Sequence, residues 1–168
     1  MTLARDLLRQ ASQLATREPK RPKQSSLRRA ISAAYYALFH LLVDHGTRRL
    51  VRGDRSALRG CLARAFKHQD MKVVCKSFAS QSFSPKIKPA LDGLTVPGEL
   101  RDIAEVFVDL QQARHEADYD RLRRFNRTET LELIERVRKA FDDWQNVKEE
   151  PAIDVFLVAL LCQKSMQS

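Results

Sequence analysis

Arg28-Arg29-Ala30-Ile31-Ser32-Ala33-Ala34-Tyr35-Tyr36-Ala37-Leu38-Phe39-His40-Leu41-Leu42 reads as one helix. Leu27, Ala30, Ile31, Ala34, Leu38, Leu41 and Leu42 recur at i, i+3 and i+4 spacing, which gathers them on a single apolar face. Ser32, Tyr36 and His40 step along the flank of that face, with Tyr35 and Phe39 beside them. On the N-terminal side, Leu3, Leu7, Ala11 and Leu14 predict a first helix from about Thr2 to Arg17. Pro19 and Pro22 end it, because proline cannot continue the hydrogen-bond ladder. Ser25 or Ser26 is then placed to cap the long helix.

The same period continues past Gly53. Leu58, Cys61, Leu62, Ala65 and Phe66 form a third stripe, which Met71, Val74, Cys75 and Phe78 extend after a break. The stretch from Ala79 to Gly98 has no helical period and contains Pro85, Pro89, Gly93 and Pro97, a long connection of the kind that often carries function. A further helix opens near Pro97, with Leu100, Ile103, Ala104, Phe107 and Leu110 inward. The last long helix begins near Asn126, with Glu129 in capping-box spacing and Leu133, Val137, Ala140, Phe141, Trp144 and Val147 inward. The expected fold is all-α: an antiparallel bundle of four to five helices over residues 1–148. Residues 149–168 follow as an apolar C-terminal helix or tail, packed on the bundle or on a partner.

A chain of 168 residues is long enough to bury a core without disulfides or metal. Cys61, Cys75 and Cys162 are odd in number and widely spaced, so a zinc site or a disulfide framework is a poor reading. Reduced core thiols in a cytoplasmic protein are the expectation. There is no Gly-rich phosphate loop and no HExxH, so no metal and no cofactor is expected. The amino-terminal stretch lacks the apolar core of a signal peptide. The run from Ala152 to Cys162 is too short to span a bilayer and is interrupted by Asp154.

The net charge of +9 is uneven: residues 1–96 hold nineteen Lys and Arg against six Asp and Glu, while residues 97–168 hold eleven against fifteen. Such asymmetry points to an anionic partner on the basic half, RNA first, or to docking on an acidic protein surface. Arg48, Arg49 and Arg52 are the RNA-binding candidates of the long helix's end, where cations also favour the helix dipole. The broad apolar face of the long helix and the terminal apolar run together predict a homodimer.

A second segment, Ala113-Arg114-His115-Glu116-Ala117-Asp118-Tyr119-Asp120, complements the first with charge. Arg114 continues the stripe of its helix, Asp118 lies one turn beyond, and a guanidinium at a core edge needs a partner. An Arg114–Asp118 pair backed by Tyr35 or Tyr36 is one reading; a phosphate-binding arginine is the other. Together the two segments resemble the signature helices of HEPN domains, small all-helical modules of prokaryotes. In that family a serine, two tyrosines and an aromatic lie on an early helix, and an arginine, an alanine, an aspartate and a tyrosine end a later one. Ser32, Tyr35, Tyr36, Asp118 and Tyr119 are on this basis a candidate RNA-binding or structural polar cluster. The resemblance implies dimerisation through these helices, pairing with a small nucleotidyltransferase, and a role as RNA binder or RNA cutter in toxin–antitoxin or defence systems.

HEPN ribonucleases carry an arginine, four to six intervening residues, then a histidine, which acts as acid or base without metal. No histidine here has that spacing. His68 follows Arg64 with three residues between, and His115 follows Arg114 directly. On a continuous helix Arg64 and His68 would share a face. Arg114, His115, Arg64 and His68 are thus the catalytic candidates of a variant metal-independent ribonuclease. The absent spacing favours a non-catalytic module that binds RNA or a nucleotidyltransferase partner.

Overall fold

The computed structural model describes residues 2–167, and the chain is all-helical there. Among the described residues there are eight helices and no strand: α1 (Leu3–Ala15), α2 (Gln24–Leu50), α3 (Ser56–Ala63), α4 (His68–Ser80), α5 (Ile87–Ala90), α6 (Gly98–Tyr119), α7 (Arg127–Val147) and α8 (Pro151–Gln167). Eight exceeds the four to five expected. The third stripe is split at residues 64–67 into α3 and α4, and a single turn, α5, forms in the proline-containing connection. None of these helices is long and apolar enough to cross a membrane.

The chain divides into two compact units, Met1–Leu41 with Val106–Asp142, and Leu42–Glu105 with Asp143–Ser168. α8 belongs with α3, α4 and α5, while α2, α6 and α7 each contribute to both units.

In the first unit Leu27 and Ile31 of α2 pack with Ala117 of α6 and Phe125, and Ala113 and Leu133 flank them. The two helices are antiparallel. Arg28 meets the carbonyl of Ala117 at 2.7 Å, Tyr36 meets Arg114 at 3.3 Å, and the Tyr35 ring lies 5.5 Å from that of Phe107. Position thus rises along α2 as it falls along α6. α1 turns Ala4, Ala11 and Ala15 inward, whereas Leu3 is exposed and Leu7 and Leu14 are half-buried. The line of closest approach is filled by alanines, and the leucines lie on its shoulders. Ser26 is not a cap: its Oγ donates to Glu18 Oε1 at 2.8 Å, which lowers the Glu18 pKa, and α2 already begins at Gln24. Asn126 caps α7 as expected, accepting the Glu129 N–H at 2.8 Å, but the Glu129 carboxylate turns to Arg123 instead of completing a capping box.

In the second unit α8 packs on α4 and α5. Phe78 is its aromatic centre, edge-on to Phe83 and Phe156 at 5.0 Å each. Ser84 Oγ and Lys86 Nζ donate to the carbonyls of Met166 and Ser165 near the end of α8, groups a helix C-terminus leaves without partners. The third stripe is corrected here: α3 buries no residue, Leu58 is 49% exposed and Cys61 is exposed. Of the residues from Leu58 to Phe66 in that stripe only Phe66, in the connection after α3, is buried, whereas its extension on α4, Met71, Val74, Cys75 and Phe78, is buried throughout. Cys75 is a buried thiol whose pKa burial pushes up, and Cys162 is half-buried.

The apolar faces that predicted a dimer are covered within the single chain. Leu27, Ile31, Leu38 and Leu42 of α2 and Ile153, Phe156 and Leu160 of α8 are all fully buried.

Candidate functional site

Arg114 is the centre of the polar cluster on the first unit. Its Nε stands 2.8 Å from Asp118 Oδ2, one helical turn on, and its Nη2 donates to the Tyr36 hydroxyl at 3.3 Å. The guanidinium carbon sits 5.6 Å from the ring centroids of both Tyr35 and Tyr36. Ser32 Oγ donates to the other carboxylate oxygen of Asp118 at 3.3 Å. The Arg114 and Asp118 side chains are 19% and 29% exposed. The Nε–H is not aligned on the carboxylate and has no other hydrogen-bond acceptor, so the pair is held by charge and by the two rings rather than by a bidentate fork. Four of the residues named from sequence are thus brought together: Ser32, Tyr36, Arg114 and Asp118. Tyr35 is fully buried, a core ring and not a surface for stacking a base. The cluster ties α2 to α6 and matches the arginine's charge internally.

The remaining candidates do not join it. His115 leaves α6 towards water, with the exposed Tyr119 ring 5.1 Å away. The groove beside it is lined by Glu116, Asp120 and Arg123, and Arg123 is paired with Glu116 and Glu129. Arg64 and His68 do not share a helix face, because α3 ends at Ala63 and α4 begins at His68. Of the three cations at and just beyond the end of α2, Arg49 is committed to Glu149 at 3.0 Å and Asp154 at 2.6 Å, which raises its pKa. Arg48 and Arg52 are exposed, with no carboxylate at ion-pair distance among the described residues. Arg55, Arg64 and Lys67 are exposed in the same way.

Arg28, in the sequence one cation of the basic half, and Arg127 and Gln24, which the sequence did not single out, hold the first unit together. Arg28 donates to the carbonyls of Glu116, Ala117, Asp120 and Arg123. Arg127 donates to those of Ala15, the last residue of α1, and of Glu18 and Pro19 beyond it. Gln24 exchanges two hydrogen bonds with the backbone of Phe125, at 2.7 and 3.0 Å. Their partners lie 88 to 112 residues away, so no local pattern marks them. Among the described residues no group of three or more His, Cys, Asp and Glu is placed to hold a metal ion. Comparison with protein-family models, with curated proteins and with solved structures finds no match to this chain.

Proposed function

We propose that the chain is a non-catalytic RNA-binding module of HEPN type, a cytoplasmic antiparallel bundle beside a nucleotidyltransferase partner in a toxin–antitoxin or defence system; its working as a homodimer rests on the HEPN resemblance and not on an uncovered apolar face of α2 or α8. The observation that carries the RNA reading is the segment 48–67, where seven Lys and Arg accompany one Asp. Arg52, Arg55, Arg64 and Lys67 there are exposed cations flanking α3, a helix with no buried residue. Long cationic side chains without carboxylate partners suit phosphate contacts, which position nucleic acid without reading its sequence.

Three features weigh against the ribonuclease alternative. Arg114 has its charge matched by Asp118. His115 stands beside Glu116 and Asp120, whose carboxylates repel a scissile phosphate. The helix break removes the Arg64/His68 face. A protein partner on the same surface is favoured by one observation, the exposed apolar pair Leu58 and Cys61 on α3. Titration of labelled single-stranded RNA at low and high salt tests the RNA reading, and incubation of the same RNA in EDTA tests cleavage. Salt-sensitive binding without cleavage is expected. Cleavage that Arg114→Ala/His115→Ala abolishes would install the ribonuclease instead.

A further inference from the structure

His45, Arg48, Trp144 and Lys148 enclose a cleft of about 190 Å³ in the second unit, separate from the exposed cations of residues 52–67. Leu157 supplies an apolar wall. Arg49 and Glu149 complete the lining and are paired with each other, Arg49 also holding Asp154. The cations left unmatched are Arg48 and Lys148, the latter donating only to the neutral Gln145 side chain at 2.9 Å. Trp144 is fully buried, and its indole N–H, which can only donate, has no hydrogen-bond acceptor. Buried donors of this kind are ordinarily satisfied, so one lining a cleft of cations points to a missing acceptor. The His45 ring stands edge-on to Trp144 with centroids 5.4 Å apart.

We propose that this cleft binds a phosphate-sized oxyanion, held by Arg48 and Lys148 and by the donors of Trp144 and His45. The last turns of α2 and α7, which carry Arg48 and Trp144, present roughly half a negative charge each, which opposes an anion. Two full cations outweigh them, and charge-assisted hydrogen bonds to an oxyanion are the stronger kind. Burial, Lys148 and Arg48 hold the His45 pKa down, while Asp44 and Glu149 act the other way. An incoming anion offsets the repulsion from Lys148 and Arg48, so binding favours uptake of a proton at His45 and strengthens as pH falls.

Trp144 is the chain's single tryptophan, so its indole N–H gives one assignable NMR signal. Sulfate is the probe, because it keeps its charge through the range in which imidazole titrates. Titrating sulfate into the full-length chain should shift the indole signal saturably, more tightly at about pH 6 than at about pH 8. Arg48→Gln/Lys148→Gln should weaken the apparent affinity about tenfold or more, and Arg52→Gln/Arg55→Gln should leave it unchanged. An unmoved indole, a shift that chloride reproduces at equal ionic strength, or full affinity in Arg48→Gln/Lys148→Gln overturns the proposal. A single-stranded RNA oligomer that displaces sulfate assigns the phosphate to RNA; sulfate retained beside bound RNA assigns it to a free small phosphate ester. The sulfate readout is independent of whether the chain binds RNA at all.

Discussion

Arg28 closes the end of α6 from outside that helix. Its Nη1 donates to the carbonyl of Ala117 at 2.7 Å, and its Nη2 to those of Asp120 at 2.8 Å and Arg123 at 2.5 Å. These include acceptors that a helix C-terminus leaves unsatisfied, and the cation also suits the dipole there. Arg28→Ala is expected to cost about 1–3 kcal/mol, read as a lower urea midpoint, and Arg28→Lys should restore little, since an ammonium cannot reproduce the fork. In the sequence Arg28 is one more cation of a basic half. Its structural role was illegible because its acceptors arrive 88 to 95 residues later. Arg114 was more legible, since Asp118 sits one turn away on the same helix. Asp118→Ala strands a largely buried guanidinium, and a loss of about 1–3 kcal/mol is expected, below the range for a fully buried pair because both side chains keep some water. A melting temperature equal to wild type would show Arg114 to be free of that pair. His45 adds a pH dependence. Its folded pKa lies below the ordinary value of about 6.5, chiefly from burial. The unfolded chain then binds the proton first, so stability is full above about pH 6.5 and falls as pH drops from there towards the folded pKa. In His45→Phe the urea midpoint should lose part of its slope across that window.

Gly46 decides how the turn after α3 docks. A Cβ at this position would lie 2.8 Å from Cζ of Phe66, the buried residue of the connection after α3, and 3.7 Å from Leu157. Replacing glycine by alanine inside a helix ordinarily stabilises by about 1 kcal/mol. At Gly46 the displaced ring adds an overpacking cost of about 1–3 kcal/mol, so Gly46→Ala should be neutral to destabilising. Gly60→Ala, on α3 with open space around it, should stabilise. Equal stabilisation by both substitutions, measured by urea denaturation, would mean that Phe66 does not pack on Gly46. The long helices were legible because a stripe of period 3.6 over about three to four turns has one physical meaning: α2, α6 and α7 lie where their apolar positions put them, within a few residues of the expected ends. The third stripe was not, because two turns of apolar spacing specify a helix without saying whether anything covers it. Leu58 and Cys61 keep the period and face water. A break after Phe66 was legible from the lapse in apolar spacing before Met71; that it begins at Arg64, and so parts Arg64 from His68, was not, since residues 64–67 contain neither glycine nor proline.

At the scale of the whole molecule the basic excess separates into two populations. Arg28, Arg49, Arg114, Arg123 and Arg127 are bound to carbonyls or carboxylates of the chain itself. Arg52, Arg55, Arg64 and Lys67 are exposed, and an anionic macromolecule meets these first. Net charge alone could not draw this line, which is why the sequence pointed to an anionic partner but chose Arg49 among the contacts. Counterion release makes the distinction measurable. On single-stranded nucleic acid each neutralised phosphate contributes about 0.7 to the slope of log affinity against log salt. Replacing Arg52, Arg55, Arg64 and Lys67 by glutamine should therefore flatten that slope by up to about 3 if all four make phosphate contacts. The helical circular dichroism and the melting temperature should hold, because surface changes of this sort cost little stability. Arg49→Gln acts in the opposite way: it releases Glu149 and Asp154 from their cation, and a small loss of stability with an unchanged salt slope is expected. If the fourfold glutamine variant keeps the wild-type slope, the exposed cations do not touch RNA. The surface of α3, with Leu58 and Cys61 uncovered, then belongs to a protein partner, and Leu58→Ser should weaken that association while leaving RNA affinity where it was.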